Sequence, residues 1–323
     1  MHWLAVGLFG LALSSVAGAA VDSSASYPNR PVRMITGSPG STSDIAARFL
    51  AQKLSERWGQ QVVVDNRPGA GGIIGAEIGA KAAPDGYTLT VGQIGTHASA
   101  QFLFKKLAYD PVKDFIPISL MTISGIALAV HPSVPAKDLK GFVAYAQSKA
   151  GGVNYGSAGG GTSSQLSGEL FNQLTGARLV HIPYKGAGPA LTALIAGETQ
   201  AAFLSTTTIS AQAKTGKVRP LAVLSEKRFP AAPDIPSAGE AGFRALDSAV
   251  WFGLFAPAKT PQAIIARVNR DVVQILQSPE AQAALLKQGA QAMPTTPADF
   301  DAFLKKEIAK WGKVIREAGI KAN

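Results

Sequence analysis

Two hydrophobic periods alternate along this chain. A short β-rich run, Val32-Arg33-Met34-Ile35, gives way to a Gly/Ser/Pro turn and then to a pattern of period 3.6. Between 44 and 58 the apolar residues Ile45, Phe49, Leu50, Leu54 and Trp58 recur three or four positions apart, which predicts a helix. Gln61-Val62-Val63-Val64 predicts the next strand. A glycine-rich stretch from 66 to 72, an alanine-rich helix to Ala83, the turn Pro84-Asp85-Gly86 and a strand over 87–91 follow. This βαβαβ order predicts a parallel sheet flanked by helices. A second series starts with a strand over 126–130. It continues through helices over 139–150, 162–175 and 189–196 and strands over 153–155, 179–182, 201–203 and 221–224. After the apolar run 251–256 the remainder is predicted helical, with Thr260 capping a helix that has Pro261 in its first turn. The last helix carries Phe300, Phe303, Leu304, Ile308, Trp311 and Ile315 on one stripe, with lysines and Arg316 around it.

The amino terminus has a different pattern. Residues 3–16 are almost wholly apolar and are followed by Ala17-Gly18-Ala19, a small-x-small signal, and by a polar stretch from Asp22 to Ser26. This reads as a secretory signal peptide over 1–20 with cleavage near Ala19 or Ala20, hence a periplasmic mature protein. Only His2 and the terminal amine precede the apolar run as cationic groups. A membrane anchor is the rival reading, but a spanning helix needs about 20 apolar residues. No later segment approaches that length, so the mature chain is expected to be soluble.

Length and composition narrow the classes of function. At 323 residues the chain suggests two domains. The absence of cysteine excludes disulfides, a thiol nucleophile and cysteinyl metal sites. A net charge of +10 invites an anionic partner: nucleic acid, a membrane surface or a small acid. The export signal argues against nucleic acid, and the charges are spread along the chain instead of gathered in one basic motif. Lysines around the apolar stripe of the last helix read as its solvated face.

Enzyme motifs were sought and are absent. His97, His131 and His181 stand outside any H-E-x-x-H or metal-ligand spacing. Neither a G-x-S-x-G elbow nor a G-x-x-x-x-G-K-[ST] loop occurs. The run Gly69-Ala70-Gly71-Gly72-Ile73-Ile74-Gly75 follows a strand, yet it places Ile74 where the dinucleotide fingerprint needs glycine. We expect no catalytic residues, no metal and no cofactor.

Two loops carry the candidate chemistry. Each places small and hydroxyl residues between a strand and a helix: residues 37–44 after the first strand, and 156–164 after the strand over 153–155. The first turn of a helix has unpaired N–H groups and a partial positive charge, so it attracts an anion. Glycine lets the backbone approach closely, and Ser or Thr adds donors without bulk. Thr162 and Gln165 also match a capping box, so helix capping alone is the competing explanation for either loop. Both loops lie at C-terminal strand edges, where open α/β sheets bind ligands, and two such lobes would face each other across a cleft. The chemistry points to capture without turnover.

At these residues the chain resembles the Bug/TctC-like family, the solute-binding proteins of tripartite tricarboxylate transporters. The resemblance runs from Tyr27-Pro28 through Asp44-Ile45-Ala46-Ala47-Arg48, the stretches 63–72 and 83–88, and 110–115. It continues in His181-Ile182-Pro183-Tyr184-Lys185-Gly186, Leu221-Ala222-Val223, Pro233-Asp234-Ile235-Pro236 and Trp251-Phe252-Gly253-Leu254. It implies an α/β, two-lobed periplasmic binding-protein fold of type II-like form, each lobe a mostly parallel sheet flanked by helices. Residues 27–122 and 252–323 would form lobe 1, and 123–251 lobe 2. The implied function is capture of a small carboxylate and delivery to membrane permease subunits, by a monomer that binds no nucleic acid. The ligand would be held by Ser41, Thr42 and Asp44 from the first loop and by Ser157, Gly161, Thr162 and Ser163 from the second, largely through amides, hydroxyls and bridging water.

Two departures from the family pattern fall near this pocket. The first loop is one residue shorter and has Ser41-Thr42 where relatives have further glycine. Gln165 stands where relatives often have His. Thr206, with Thr207 and Thr208, either lines the cleft or caps a helix. Asn66-Arg67 is expected to brace its own turn, and Tyr184-Lys185 is a further ligand candidate. Asp44 is either a helix cap or the acceptor of a ligand amino group. A secreted enzyme acting on small acids, an anion-surface binder and a sensor feeding a signalling system are the competing functions.

Overall fold

The computed structural model describes residues 26–320. The signal-peptide reading and its cleavage site lie outside the described residues. Strand β1 (Val32–Thr36) runs parallel to β2 (Val62–Asn66) on one side and β3 (Thr88–Gln93) on the other. Helices α1 (Thr42–Trp58) and α2 (Ile73–Ala80) make the crossovers. Helix α1 starts at an N-cap, Ser41, and stops where Gly59 turns left-handed. It buries Ala46, Ala47, Leu50, Ala51 and Leu54, whereas Ile45 is exposed, so the stripe read from the sequence is displaced toward the alanines. Small residues let the helix lie close on the sheet, and each fully buried Leu contributes about 2 kcal/mol of transfer free energy.

Beyond β3 come one turn of π-helix (Ile94–Ala98) and the short α3 (Ala100–Leu103). Next is β4 (Phe115–Val130), whose two halves belong to different ladders. Its first half is antiparallel to β9 (Ala249–Pro257), from Phe115↔Pro257 to Gly125↔Ala249. From Ile126 onward it pairs with β7 (Ala201–Ser205) and β8 (Arg219–Val223). Only this second half was legible as a strand. Pro117 hid the first half, because proline cannot donate to a ladder. It is tolerated here at an irregularity where the register shifts between Pro117 and Ser119.

The second lobe contains α4 (Leu139–Ser148), β5 (Val153–Ser157), α5 (Ser163–Thr175), β6 (Leu179–Pro183), α6 (Ala187–Ala196) and α7 (Thr206–Lys214). Here β5 is parallel to β6 and β7. The chain returns along β9, which is antiparallel to β3. It ends with α8 (Gln262–Gln277), α9 (Pro279–Lys287), the two-residue β10 (Gln291–Ala292) and α10 (Pro297–Ala318). Thr260 does not cap α8; its hydroxyl turns back to the Pro257 carbonyl at 2.8 Å, and Pro261 takes the cap position. Among the described residues the ladders join in the order β2-β1-β3-β9-β4-β7-β5-β6. The fold is thus two α/β lobes joined through β4 and β9, each with a parallel segment flanked by helices.

Packing ties the C-terminal helices to this frame. Val268, Val272 and Ile275 of α8 share a core with Met34 and Leu50. Helix α10 contributes Phe300, Trp311 and Ile315 to a core that also holds Phe171 of α5, and the Gln173 side chain donates to the Val314 carbonyl at 3.1 Å. One carboxylate oxygen of Glu307 accepts from two buried indoles, Trp251 Nε1 at 2.8 Å and Trp311 Nε1 at 2.9 Å. Among the described residues no helix is long and apolar enough to cross a membrane.

Candidate functional site

The same turn is built twice, once in each lobe. At 40–44 the residues are Gly-Ser-Thr-Ser-Asp, and at 161–165 Gly-Thr-Ser-Ser-Gln. Gly40 (φ 72°) and Gly161 (φ 73°) both take the left-handed conformation, which an L side chain adopts only under strain. In each, that glycine's N–H donates to the side chain four residues on. Gly40 bonds Asp44 Oδ2 at 2.8 Å, and Gly161 bonds Gln165 Oε1 at 2.7 Å. Ser41 and Thr162 are the N-caps of α1 and α5. The next residue in each turn, Thr42 or Ser163, is half-buried, and among the described residues no hydrogen bond occupies its hydroxyl. Ser43 and Ser164 turn inward, to Ser41 Oγ at 2.9 Å and to the Ala158 N–H at 2.8 Å.

This arrangement sorts the candidate residues. Thr42 and Ser163 offer free hydroxyls beside helix N-termini. Ser41 accepts from the Asp44 N–H at 3.3 Å. The expected capping box at Thr162 and Gln165 does not form: Thr162 makes no side-chain cap bond, its hydroxyl donating instead to the Gly159 carbonyl at 2.7 Å, and Gln165 takes the Gly161 N–H. The left-handed glycine turns its N–H inward, ahead of the cap residue. Ser157 is fully buried, with Oγ 2.5 Å from His181 Nε2 and 3.1 Å from the Gly159 N–H, so it braces the second loop. Thr206 opens α7, but Ser205 is that helix's N-cap. The Thr206 hydroxyl donates to the Gly289 carbonyl at 2.9 Å, and Thr207 pairs with Ser124 at 3.1 Å.

Asp44 is almost enclosed. Burial pushes its carboxyl up, but hydrogen bonds from Asn66 (2.8 Å), Gly40 (2.8 Å) and Arg48 (3.0 Å) outweigh this and hold it below the usual carboxylate range. Asn66 therefore braces the first loop, donating also to the Gly37 carbonyl at 2.9 Å, whereas Arg67 turns to Asp65. Tyr184 N–H donates to the Ser157 carbonyl at 3.0 Å, which seats that residue beside the second loop.

Sequence reasoning missed one wall. The glycine run near 70, dismissed as a nucleotide motif, meets the second-lobe loop through the π-turn. A Cβ placed on Gly95 would lie 3.7 Å from the carbonyl oxygens of both Gly71 and Gly161. The buried Ser99 hydroxyl donates to the Gly161 carbonyl at 3.0 Å, and Leu103 faces Gly161 directly. Glycines on three separated segments were the available signal; their convergence was not. Beside α2 lies a small cavity of about 10 Å³, room for about one water, lined by Thr36, Ser43, Gly72, Thr90, Gln93 and Thr96. Among the described residues the Thr36 and Thr90 hydroxyls are buried without a partner, and a water in that cavity would satisfy them.

The histidines near the loops carry no charge. Burial lowers His97 to about 3, stacked 4.0 Å from Phe255, and His181 to about 4, so both are neutral at pH 7. Ser157 is fully buried beside a half-buried His181, and among the described residues the Ser163 hydroxyl bonds neither imidazole nor carboxylate. No group of three His, Cys, Asp or Glu among the described residues is placed to hold a metal.

Comparison with known proteins bears on the whole chain. Residues 46–320 match the family model of TctC, the tripartite tricarboxylate transporter family receptor. Protein BugT of Bordetella pertussis is 34% identical over 318 residues, covering 98% of this chain and 98% of BugT. The structure of R. palustris Rpa4515 with adipate superposes with a TM-score of 0.86 at 34% identity, covering 92% of this chain and all of that one. MatC from Rhodopseudomonas palustris with bound malate gives 0.81 at 35% identity, covering 90% of this chain and all of that one. With its two-lobed fold, its paired loops and this family match, the chain belongs to the TctC family of tripartite tricarboxylate transporter receptors.

Proposed function

We propose that this chain is an exported, periplasmic receptor that closes two lobes on a small organic acid and delivers it to membrane permease subunits. The observation that carries this reading is the repeated turn: each lobe presents one unengaged hydroxyl, Thr42 or Ser163, at the positive end of a helix. Relatives solved with adipate and malate support a carboxylate as the ligand class. Lobe 1 then comprises 27–122 and 252–323, and lobe 2 comprises 123–251, with β4 and β9 flexing between them as a hinge. The two ends are unequal. Asp44 places a negative charge at the first turn, balanced by Arg48, whereas Gln165 leaves the second turn uncharged. The ligand's carboxylate accordingly belongs at Ser163.

Calorimetric titration against a panel of mono-, di- and tricarboxylates is expected to give saturable binding. Ser163→Ala should weaken it about tenfold or more, because a hydrogen bond to a charged group contributes about 1.5–3 kcal/mol. Its melting temperature should stay unchanged, since that hydroxyl bonds nothing in the fold. A panel with no saturable member would overturn the proposal.

A further inference from the structure

We propose that Ser99 is the closure latch of this receptor, a positioning residue that holds the two lobes together without touching the ligand. The inference rests on the two-lobe closing motion proposed above and names a contact that holds it shut. Ser99 follows the π-turn, and its backbone N–H donates to the Ile94 carbonyl at 2.9 Å. Its buried hydroxyl has one proton and two carbonyl acceptors, Ile94 of its own turn at 3.2 Å and Gly161 of the second loop at 3.0 Å. The two acceptors differ in what they need. Ile94 keeps the backbone bond when the hydroxyl leaves it. Gly161 is buried, and among the described residues no other hydrogen bond reaches its carbonyl. The proton therefore belongs on Gly161 when the loops meet and falls back on Ile94 when they part.

Both ends of this bond are fixed before they meet. The π-turn is fastened to its own lobe: His97 stacks 4.0 Å from Phe255, and the Tyr109 hydroxyl donates to the Thr96 carbonyl at 2.7 Å. Phe102 of α3 lies so close on Gly312 of α10 that a Cβ there would meet its ring at 2.6 Å. On the other side Gln165 holds the Gly161 N–H at 2.7 Å, which sets the direction of the turn. Groups so held lose little freedom on closure, so the bond favours the closed form. An open cleft admits water to the Gly161 carbonyl, whereas a closed one without the hydroxyl strands it. Removing the hydroxyl thus penalises the closed form alone. Because Ser99 donates to backbone and not to ligand, the penalty is the same for every ligand that closes the lobes.

Stopped-flow binding to Ser99→Ala with several members of the carboxylate panel, beside a thermal melt of the ligand-free protein, tests this. Kd should rise about tenfold for each ligand, nearly all of it as a faster off-rate, and the ligand-free midpoint should stay unchanged. Parent-like off-rates would overturn the latch and leave the carboxylate reading standing. A loss that varies from ligand to ligand would make Ser99 a ligand contact and overturn it too. So would a loss matched by a lower ligand-free midpoint, which is the mark of a purely structural role. A parent protein that binds no member of the panel would overturn the carboxylate reading, and this inference with it.

Discussion

Gly161→Val is expected to abolish ligand capture, raising Kd at least about 100-fold, which corresponds to about 2.7 kcal/mol. Three effects act at this position. A β-branched residue at φ 73° is strained by roughly 1–2 kcal/mol. Its Cβ would stand 2.5 Å from the Leu103 Cδ1, so the Leu103 side chain would have to move aside. The Ser99 hydroxyl would also lose its place on the Gly161 carbonyl, and the turn that aims Ser163 would be displaced. Moving the lobes apart relieves the clash, so affinity absorbs most of the loss. The melting midpoint should fall by only about 3–6 °C, since 1 kcal/mol shifts a chain of this size by about 2–4 °C. Calorimetry with the best ligand of the carboxylate panel, beside a thermal melt, reads both quantities. A valine variant that binds like the parent would show that the lobes do not close on this loop.

Glu307→Leu should lower stability by about 3 kcal/mol. The Glu307 carboxylate is the shared acceptor of Trp251 and Trp311, whose side chains are 1% and 0% exposed. Removing it strands two buried indole N–H groups, each costing about 1–3 kcal/mol, against a small apolar gain from leucine. The midpoint should drop by about 6–12 °C. Glu307→Gln keeps a carbonyl oxygen in place and should lose about 1 kcal/mol. Equal midpoints for the parent and Leu proteins in differential scanning calorimetry would refute the clamp.

Local chemistry was the legible part of this chain. The α/β alternation, both loops and the N-terminal turns of α1 and α5 were readable because caps, glycines and periodicity act over a few residues. What escaped was decided at a distance. The first half of β4 is a strand because β9 pairs with it, and Pro117 erased its local signature. Asp44 carried two readings because its second helper, Asn66, stands on another strand. Thr206 looked like a cleft or cap residue until a carbonyl 83 positions away claimed its hydroxyl. Gly95 gave no signal of its own, since what matters about it is the nearness of Gly71 and Gly161.

The paired strands β4 and β9 have a mechanical consequence. Two crossings laced to each other from Phe115↔Pro257 to Gly125↔Ala249 resist shear and torsion while allowing them to bend together. On the proposed closing motion, this pairing is expected to confine the two lobes to one axis of opening. A single pair of spectroscopic labels, one on each jaw, would follow the whole stroke, and the trace should show two populations without a drifting continuum between them.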